Sequence, residues 1–433
     1  MTWWRWCMTS LLLTGCLVVV LVTTKLTAEE KVGDWPQFRG PGSRGVSPAT
    51  GLPVTWDEQK NVLWKTELPG PGTSSPIVVG DKIFLTCYTG YGLSRRHPGD
   101  MNQLYRHVVC VQRDDGRILW NVAVKADLPE TPFERDHVAA HGYASSTPVA
   151  DAERVYVFFG KSGVYAFDHA GKQLWHARVG NRIHDQGSGS SLILHQDLLI
   201  VNASVESEAL VALNRRTGQE VWRAEGVRES WTTPVLVAIP GGAVELVVAG
   251  GGRMLGFDPG NGRLLWSCRA GEGDAVATPV AHHGVIYALL DRGGSVLALR
   301  AGGRGEVRPG HEVWSKRLGK PAGSPVYHEG YLYFAHASHG IAYCLNAASG
   351  EVVYQERLTP APGDMFASPL LADGKIYYVS RERGTYVVAA GPKFRQLAHN
   401  TLGDRSPFNA SPAVSGHRLL LRSDRALYCL AVR

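Results

Sequence analysis

Histidine, arginine and carboxylate side chains gather in a few turn-rich segments of the chain. These segments contribute Arg95, Arg96, His97, Arg106, His107, His137, His141, His184, Asp185, Arg228, Glu229 and Trp231. Histidine is the usual acid, base and metal ligand near neutral pH, so the group could bind a ligand, bind a metal or catalyse a reaction. Loops are exposed and usually polar, so a solvated rim explains the same residues. We expect these residues to form a solvated rim. A binding site, and a catalytic or metal site, are the alternative interpretations.

Two short patterns near His141 test for catalysis. His137 and His141 are four residues apart, but they lie among Pro and Gly and lack the His-Glu-x-x-His pattern of zinc enzymes. Ser145 and Ser146 follow His141 closely, yet Ser146 aligns with a serine that recurs along the chain. The sequence therefore predicts no catalytic residue, no triad and no metal ligand.

Five cysteines lie beyond residue 28, namely Cys87, Cys110, Cys268, Cys344 and Cys429. They are too few and too far apart for a disulfide framework. Three of them occupy positions where other repeats have alanine, which indicates small buried side chains. Cys87 and Cys110 fall in neighbouring predicted strands, and their pairing stays open.

Composition excludes several classes of protein. Hydrophobic residues make up 44% of the 433 residues and charged residues only 19%, unlike a disordered chain. The 50 Gly and 24 Pro residues disfavour coiled coils and helical arrays. A formal charge of +6, spread along the chain, gives no reason to expect a nucleic-acid partner.

The first 28 residues are typical of a targeting segment. Arg5 precedes an apolar stretch over residues 7–22, which is short for a membrane span, and Ala28 offers a cleavage site. A cleaved signal peptide, an uncleaved membrane anchor and a lipoprotein modified at Cys16 stay open. All three predict an exported, periplasmic or envelope protein that touches a membrane only through this segment. Residues 29–60 are predicted to be an extension leading into a domain over 61–433.

The chain repeats with a period near 44 residues, which is the first pattern to seek in a long sequence. Ser/Thr-Pro followed by an apolar run recurs at Pro76, Pro148, Pro234, Pro279, Pro325, Pro369 and Pro412, with a copy lacking proline at Leu192. From Pro148 onward the spacings are 42 to 46 residues. Each unit also carries a Gly turn followed four residues later by an aromatic. We expect these aromatics, together with Trp64, to dock neighbouring units: Trp120, Trp175, Trp222, Trp266, Trp314 and Tyr354.

Four short strands in each repeat indicate an all-β, eight-bladed β-propeller of four-stranded antiparallel blades. Seven blades stay possible if the unit at Leu192 is degenerate. The last unit stops at Arg433 before a fourth strand, whereas the run around Trp64 has no blade before it. The N-terminal strand is therefore predicted to close the ring, leaving no open edge.

Propeller connectivity places the second-to-third and fourth-to-first loops on one face, which we call the top face. Both long segments, residues 88–107 and 121–143, are of this kind, and we expect them side by side over one sector. The residues two positions before each anchor should surround the mouth of the channel: Ser74, Ser146, Ser190, Thr232, Ala277, Gly323, Ala367 and Ala410. Trp231, Phe366 and Asn409 are the bulky residues one position earlier.

The repeat unit, as in residues 166–175 (Ala-Phe-Asp-His-Ala-Gly-Lys-Gln-Leu-Trp), resembles the tryptophan-docking motif of pyrroloquinoline-quinone (PQQ) repeat propellers. The opening over residues 34–41 (Asp-Trp-Pro-Gln-Phe-Arg-Gly-Pro) is similar to exported bacterial PQQ-like repeat proteins. The resemblance implies an eight-bladed ring over residues 61–433. Its relatives include quinoprotein alcohol dehydrogenases and BamB-type outer-membrane assembly factors.

Membership of the dehydrogenase branch would imply an adjacent cysteine pair, a bound PQQ and a Ca²⁺ ion. In this sequence, however, no two cysteines are adjacent. We therefore expect a non-catalytic binding or scaffolding module of the cell envelope, with no cofactor. The expected partner is an envelope protein or a small anionic ligand bound at the top face, and the expected state is a monomer. A PQQ-dependent dehydrogenase with calcium is the alternative.

Overall fold

The structure is a computed structural model. It describes Met1 and residues 33–433, apart from 134–137, 272, 291–293 and 309. The chain divides into two units, Met1–Lys31 and Val32–Arg433. The targeting segment, Met1 aside, lies outside the described residues, so its prediction stays a prediction. In the described part of the chain, no helix has the length and apolar character needed to cross a membrane.

Eight separate antiparallel sheets are arranged as the blades of a ring, and the predicted eight-bladed all-β propeller is confirmed. Blades one to four follow one another along the chain after two short N-terminal strands, β1 (Val46–Ser47) and β2 (Val62–Glu67). Blade one is β3 (Ile77–Val79), β4 (Lys82–Thr89), β5 (Tyr105–Gln112) and β6 (Ile118–Lys125). Blade two is β7 (Val149–Ala150), β8 (Arg154–Phe158), β9 (Val164–Asp168) and β10 (Gln173–Ala177). Blade three is β11 (Ile193–His195), β12 (Leu198–Ala203), β13 (Ala209–Asn214) and β14 (Glu220–Glu225). Blade four is β15 (Val235–Ala238), β16 (Val244–Gly250), β17 (Arg253–Phe257) and β18 (Leu264–Arg269).

Blades five to eight repeat the pattern with two additions. Blade five is β19 (Val280–His282), β20 (Val285–Leu290), β21 (Ser295–Arg300) and β23 (Glu312–Arg317), and its inserted β22 (Gly305–Glu306) pairs with β18 of blade four. Blade six is β24 (Pro321–His328), β25 (Tyr331–His336), β26 (Ile341–Asn346) and β27 (Val352–Arg357). Blade seven is β28 (Leu370–Ala372), β29 (Lys375–Ser380), β30 (Gly384–Ala389) and β31 (Gln396–Asn400), with β1 parallel to β28. Blade eight is β32 (Ala413–Ser415), β33 (Arg418–Arg422), β34 (Ala426–Leu430) and β2.

The described helices are single turns: α1 (Val138–His141), α2 (Ser204–Ser207) and three 3₁₀ segments, Pro41–Ser43, Met101–Gln103 and Gly160–Ser162.

The N-terminal strand closes the ring as predicted. β2 pairs antiparallel with β34, so blade eight combines both ends of the propeller sequence. Trp64 in β2 then contacts blade one, where its indole Nε1 donates to the carbonyl of Arg113 at 3.1 Å. A closed ring leaves no unpaired strand edge between the first and last blades.

The other docking tryptophans use the same geometry. The indole of one blade donates to a turn carbonyl of the next blade at 2.9–3.1 Å: Trp120 to His169, Trp175 to Arg215, Trp222 to Pro259 and Trp314 to Ala347. Trp266 is the exception, because its Nε1 donates to the buried Glu245 carboxylate of its own blade at 2.7 Å. The insertion that carries β22 occupies the adjoining region of blade five. Tyr354 packs edge-on against Phe394.

All five described cysteines are buried and unpaired. The possible bridge between Cys87 and Cys110 is therefore not formed. Burial raises the pKa of the Cys110 thiol to about 12, which makes it a hydrophobic core residue rather than a nucleophile.

The N-terminal extension crosses the channel below the top mouth. Trp35 exchanges two backbone hydrogen bonds of 2.8 Å with Val78 of blade one, and the carbonyl of Gly45 accepts from Leu371 of blade seven at 2.8 Å. Between them the buried Arg39 donates from Nη2 to the carbonyls of Arg44 and Pro325, the latter in blade six. Residues 34–47 therefore form a plug, and we use that name below.

Candidate functional site

The top mouth of the channel opens into a cavity of about 510 Å³, which we call the mouth cavity. All eight blades contribute to its lining. Its described polar and aromatic lining residues include Phe38, His141, Ser145, Gln186, Trp231, Asp274, Lys320, Phe366 and Asn409. Concave sites built where several elements converge are the usual place for ligand binding.

A closed ring of eight hydrogen bonds surrounds the cavity. It is formed by the Ser or Thr that precedes each anchor position, and we call these residues the hydroxyl ring. In each blade the backbone N–H of this residue donates to the hydroxyl of the next blade, at N–O distances of 2.9–3.2 Å. The order is Ser75, Thr147, Ser191, Thr233, Thr278, Ser324, Ser368, Ser411 and back to Ser75.

The hydroxyl ring explains the repeated Ser/Thr-Pro pattern. A residue before proline prefers extended backbone, and its N–H is here turned toward the neighbouring blade. In the part of the chain that the structure describes, none of these hydroxyls donates to a protein acceptor. Each hydroxyl has therefore accepted one N–H and retains its own O–H for water or a ligand in the cavity.

The residues predicted to surround the mouth are mostly displaced by one position. Ser74, Ser146, Ser190 and Thr232 are buried between blades, whereas the residues on either side of each face the cavity. Side chains of an extended segment alternate between two sides, so a shift of one residue reverses the side that faces the channel. Trp231, Phe366 and Asn409 do line the cavity, as do Ala277 and Gly323.

The two long top-face segments lie together over one sector, as the connectivity predicts. Because β4, β5 and β6 are longer than expected, the loops span residues 90–104 and 126–148. Tyr88, Tyr91, Phe133, Val138 and Tyr143 from these segments form one buried cluster. The second segment carries α1 to the edge of the mouth cavity.

Polar contacts from several blades hold α1 in place. The carbonyl of Ala140 accepts from Arg381 Nη1 at 2.9 Å and from Asn409 Nδ2 at 3.0 Å. Thr73 Oγ1 donates to the carbonyl of His141 at 3.2 Å. On the other side, His141 Nε2 lies 2.7 Å from the carbonyl of Gln186. The helix is thus a fixed wall of the cavity.

The floor of the mouth cavity comes from the plug. Phe38 lines the cavity together with the hydroxyl ring. Gly40 allows the sharp turn that follows, because a Cβ there would lie 2.4 Å from the ring of Trp35. The predicted N-terminal extension is therefore part of the site, which sequence spacing did not indicate.

Apart from the hydroxyl ring, the polar side chains that line the cavity mostly pair with one another. His141 Nδ1 is 2.5 Å from Ser145 Oγ, and Gln186 Nε2 donates to the Asp274 carboxylate. Lys320 is exposed at the rim. Gln186, Asp274 and Lys320 were missed from the sequence, although they lie in the same top-face loops as the predicted residues.

Aromatic side chains complete the walls. The indole of Trp231 donates to the carbonyl of Gly187 at 2.7 Å and packs edge-on against His184. Phe366 is 43% exposed, and the guanidinium of Arg381 lies 5.5 Å from its ring centroid. Phe366 therefore offers an accessible ring surface at the mouth.

Arg106 is a correction to the sequence prediction. It lies in β5 rather than in an exposed loop, and its side chain is buried. Its Nη2 forms a 2.6 Å ion pair with Glu130, and its Nε donates to the carbonyl of Tyr143 at 2.9 Å. The guanidinium of Arg106 is buried and its N–H groups are used within the chain, so it holds the two long segments together and is not available to a partner.

A buried carboxyl lies close to this ion pair. Glu206 accepts a hydrogen bond from Ser188, and burial raises its pKa to about 7. Desolvation disfavours the charged carboxylate, and the hydrogen bond from Ser188 only partly offsets it.

The other predicted site residues lie outside the mouth cavity. They are exposed on top-face loops: Arg95, Arg96, His97, His184, Asp185, Arg228 and Glu229. Arg228 pairs with Glu208 at 2.7 Å. His137 lies outside the described residues. His107 is buried in β5 between Thr89 and Asn121.

The donor set of the mouth cavity does not fit the calcium ion of the dehydrogenases. Ca²⁺ takes about 6–8 oxygen ligands, several of them carboxylates. Among the described lining residues, Asp274 is the single carboxylate, and it already accepts from Gln186. Nowhere in the described residues do three or more His, Cys, Asp or Glu side chains converge as a metal site. The absence of a cofactor stays a prediction.

Known proteins are similar to this chain in sequence and in fold. The sequence pattern of the family described as outer membrane protein assembly factor BamB matches residues 101–230 and 303–391, just over half of the chain. The tetrathionate hydrolase of Acidithiobacillus ferrooxidans is 25% identical over 206 residues, which cover 41% of this chain and 39% of that protein. The chain thus spans about two fifths of this relative's length.

Solved structures share the ring at low identity. BamB from Moraxella catarrhalis has a TM-score of 0.59 and 13% identity, covering 85% of this chain and 99% of that chain. A europium-containing methanol dehydrogenase has a TM-score of 0.69 and 11% identity, covering 93% and 99%. The quinohemoprotein alcohol dehydrogenase ADHIIG from Pseudomonas putida HK5 has a TM-score of 0.65 and 11% identity, covering 92% and 80%.

These structural likenesses show the fold alone, whereas the repeat pattern carries the relationship. It matches over half of the sequence, and the matched segments lie within the eight-bladed ring. The chain belongs to the BamB-type family of PQQ-like repeat propellers.

Proposed function

We propose that the chain is an exported binding module of the cell envelope whose partner or ligand enters the mouth cavity. The observation that carries the proposal is the cavity itself, because all eight blades contribute to one accessible concave site. The family's description as an outer-membrane assembly factor supports the envelope location, as does the predicted targeting segment.

The surroundings of the mouth suit a protein segment or an anionic ligand with an apolar part. Ile183, Val276 and Phe366 are exposed apolar side chains on top-face loops. Exposed apolar groups rimmed by polar ones commonly mark interaction sites. Lys320 at the rim and Arg95 and Arg96 farther out add positive charge.

A photo-crosslinking amino acid at Phe366 tests this function in intact envelopes. The matched control is Leu264, which is 52% exposed against 43% for Phe366 but lies on β18, the fourth strand of its blade, away from the mouth. We expect discrete crosslinked products from position 366 and none from position 264. Equal crosslinking at both positions would show that the mouth is not the binding face.

A dehydrogenase is the alternative, because the ring fold is also that of a methanol dehydrogenase and a quinohemoprotein alcohol dehydrogenase. Its test is the thermal unfolding of the purified chain with PQQ and Ca²⁺. A ligand at 100 times its Kd adds about 2.7 kcal/mol to the free energy of unfolding. We expect no stabilisation and no quinone absorbance retained on the chain, because Asp274 is the single carboxylate among the described residues that line the cavity.

A further inference from the structure

His141 and Ser145 form a hydrogen-bonded pair inside the mouth cavity. His141 Nε2 lies 2.7 Å from the carbonyl oxygen of Gln186, and His141 Nδ1 lies 2.5 Å from Ser145 Oγ. A carbonyl oxygen can only accept, so Nε2 carries the ring proton of the neutral imidazole. Nδ1 is then unprotonated and accepts the O–H of Ser145. Ser145 Oγ also lies 3.3 Å from the backbone carbonyl of His141, and the shorter contact to Nδ1 decides where the proton points.

We propose that His141 and Ser145 are a base–nucleophile pair and that Ser145 Oγ attacks carboxylic esters bound in the mouth cavity. The three parts that such chemistry needs are present: a hydroxyl, a base within hydrogen-bond reach and a group that orients the base. The carbonyl of Gln186 is the orienting group, as it fixes both the tautomer and the ring direction of His141.

Both side chains are accessible from the cavity. His141 and Ser145 are half-buried, and both line the 510 Å³ space rather than a closed interior. Ser75 and Thr147 of the hydroxyl ring line the same cavity. Their O–H groups, which donate to no acceptor in the described part of the chain, are the candidate donors to an oxyanion formed during attack.

A second hydroxyl–imidazole pair in the chain lacks this access. Thr89 Oγ1 is 2.8 Å from His107 Nε2, and His107 Nδ1 is 3.0 Å from Asn121 Oδ1. His107 is buried in β5, and burial lowers its pKa. Thr89 thus has similar hydrogen bonding without the cavity, and it serves as an internal control.

The reaction balances with water as the second reactant. Ser145 Oγ forms a bond to the ester carbonyl carbon, and its proton passes to His141 Nδ1. The ester C–O bond breaks, and the leaving alcohol takes the proton from Nδ1. Water, deprotonated by Nδ1, then hydrolyses the acyl-serine, releasing the carboxylic acid and returning the proton to Ser145.

Covalent labelling by an alkyl fluorophosphonate tests the nucleophile directly. Ser145 Oγ attacks phosphorus, fluoride leaves, and His141 takes the proton, so no turnover is needed. We expect peptide mass spectrometry to find the adduct on Ser145 of the full chain and none on Thr89. Ser145→Ala should abolish the adduct.

A conservative change separates the base from the scaffold. In His141→Gln the amide can still donate to Gln186 and accept from Ser145, so the wall formed by α1 is kept. General-base assistance is worth about 10²–10⁴ in rate, so labelling should fall at least about 100-fold while the melting temperature stays close to the original. Hydrolysis of p-nitrophenyl butyrate should fall in parallel.

Absence of the adduct on Ser145, or equal labelling of Thr89, overturns the proposal. Unchanged labelling in a folded His141→Gln chain also overturns it. The proposal rests on the cavity assigned under the proposed function, but the two fail separately. Crosslinking at Phe366 without an adduct on Ser145 supports the binding function and contradicts the nucleophile. An adduct without crosslinking supports the nucleophile and contradicts an envelope partner at the mouth.

Discussion

Arg95 and Arg106 belong to the same hairpin of blade one but have different surroundings. Arg95 is exposed, whereas Arg106 is buried and pairs with Glu130 at 2.6 Å. Removing one partner of a buried pair leaves the other charge without compensation, which costs about 3–5 kcal/mol. We expect Arg106→Ala to lower the free energy of unfolding by about this amount, measured by denaturant titration.

The matched substitution Arg95→Ala should change the same quantity by less than about 0.5 kcal/mol, as is usual for exposed positions. Similar losses in both variants would contradict the structural role of Arg106.

Glu206 gives a pH dependence with a definite sign. Burial raises its pKa to about 7 in the folded chain, above the ordinary value near 4.5. The folded chain therefore binds this proton more tightly than the unfolded chain does. The resulting contribution to the free energy of unfolding is complete below pH 4.5. This contribution is lost as the pH rises through about 7, because the folded state must then expel a proton or hold a buried charge.

Glu206→Gln keeps a neutral side chain at every pH. We expect the free energy of unfolding of the natural chain, relative to this variant, to fall by about 1–3 kcal/mol between pH 4.5 and 8. Parallel pH profiles for the two chains, measured by denaturant titration, would show that Glu206 is not the group responsible.

Sequence reasoning found part of the site and misplaced another part. It selected His141, Trp231, Phe366 and Asn409, which converge at the mouth cavity. It placed Arg106 in a loop, because strand lengths in a hairpin depend on cross-strand pairing that one sequence does not display. The plug residue Phe38 was missed, since no local pattern indicates that a segment crosses a channel.

At the scale of elements, the contact between a tryptophan and a glycine turn is the repeated joint of the ring. The repeat predicted this joint because both residues recur at fixed spacing. It did not predict that Trp266 would bond to Glu245 instead, since that change follows from the inserted β22 in the next blade.

Gly218→Ala tests the docking joint. Gly218 has a φ of 76°, and an added Cβ would lie 2.6 Å from the indole of Trp175. Alanine must therefore displace the indole of the preceding blade as well as adopt a left-handed backbone. The control is Gly374→Ala, where φ is 64° and the added Cβ meets no atom within 4 Å.

The backbone penalty of about 1–2 kcal/mol is common to both variants. We expect Gly218→Ala to lose at least about 1 kcal/mol more, since over-packing typically costs about 1–3 kcal/mol. Thermal and denaturant unfolding of the two variants measure the difference. Equal losses would mean that the tryptophan contact adds nothing to blade docking.

At the scale of the whole molecule, the seam between blades eight and one decides whether the ring unfolds as one unit. β2 supplies the outer strand of blade eight, and Trp64 bonds to blade one. Inside the seam, the buried Arg422 donates from Nη1 to the carbonyl of Ser74 at 2.6 Å and from Nη2 to that of Thr86 at 2.7 Å. The N-terminal extension adds a separate contribution, since Trp35 of the plug and Trp56 beyond it are buried against the ring.

Two shortened chains separate these contributions. A chain that starts at Asn61 keeps β2 and loses the whole N-terminal extension, including the plug, whereas a chain that starts at Gly70 loses β2 as well. Burying a large apolar side chain is worth about 1.5–3 kcal/mol, so the first chain should unfold cooperatively but at a lower temperature. The second exposes the edge of β34, and we expect a broad transition without a single midpoint in calorimetry. If the Gly70 chain instead unfolds in one sharp transition at the midpoint of the Asn61 chain, the Arg422 contacts hold the seam without β2, and the ring does not depend on strand closure.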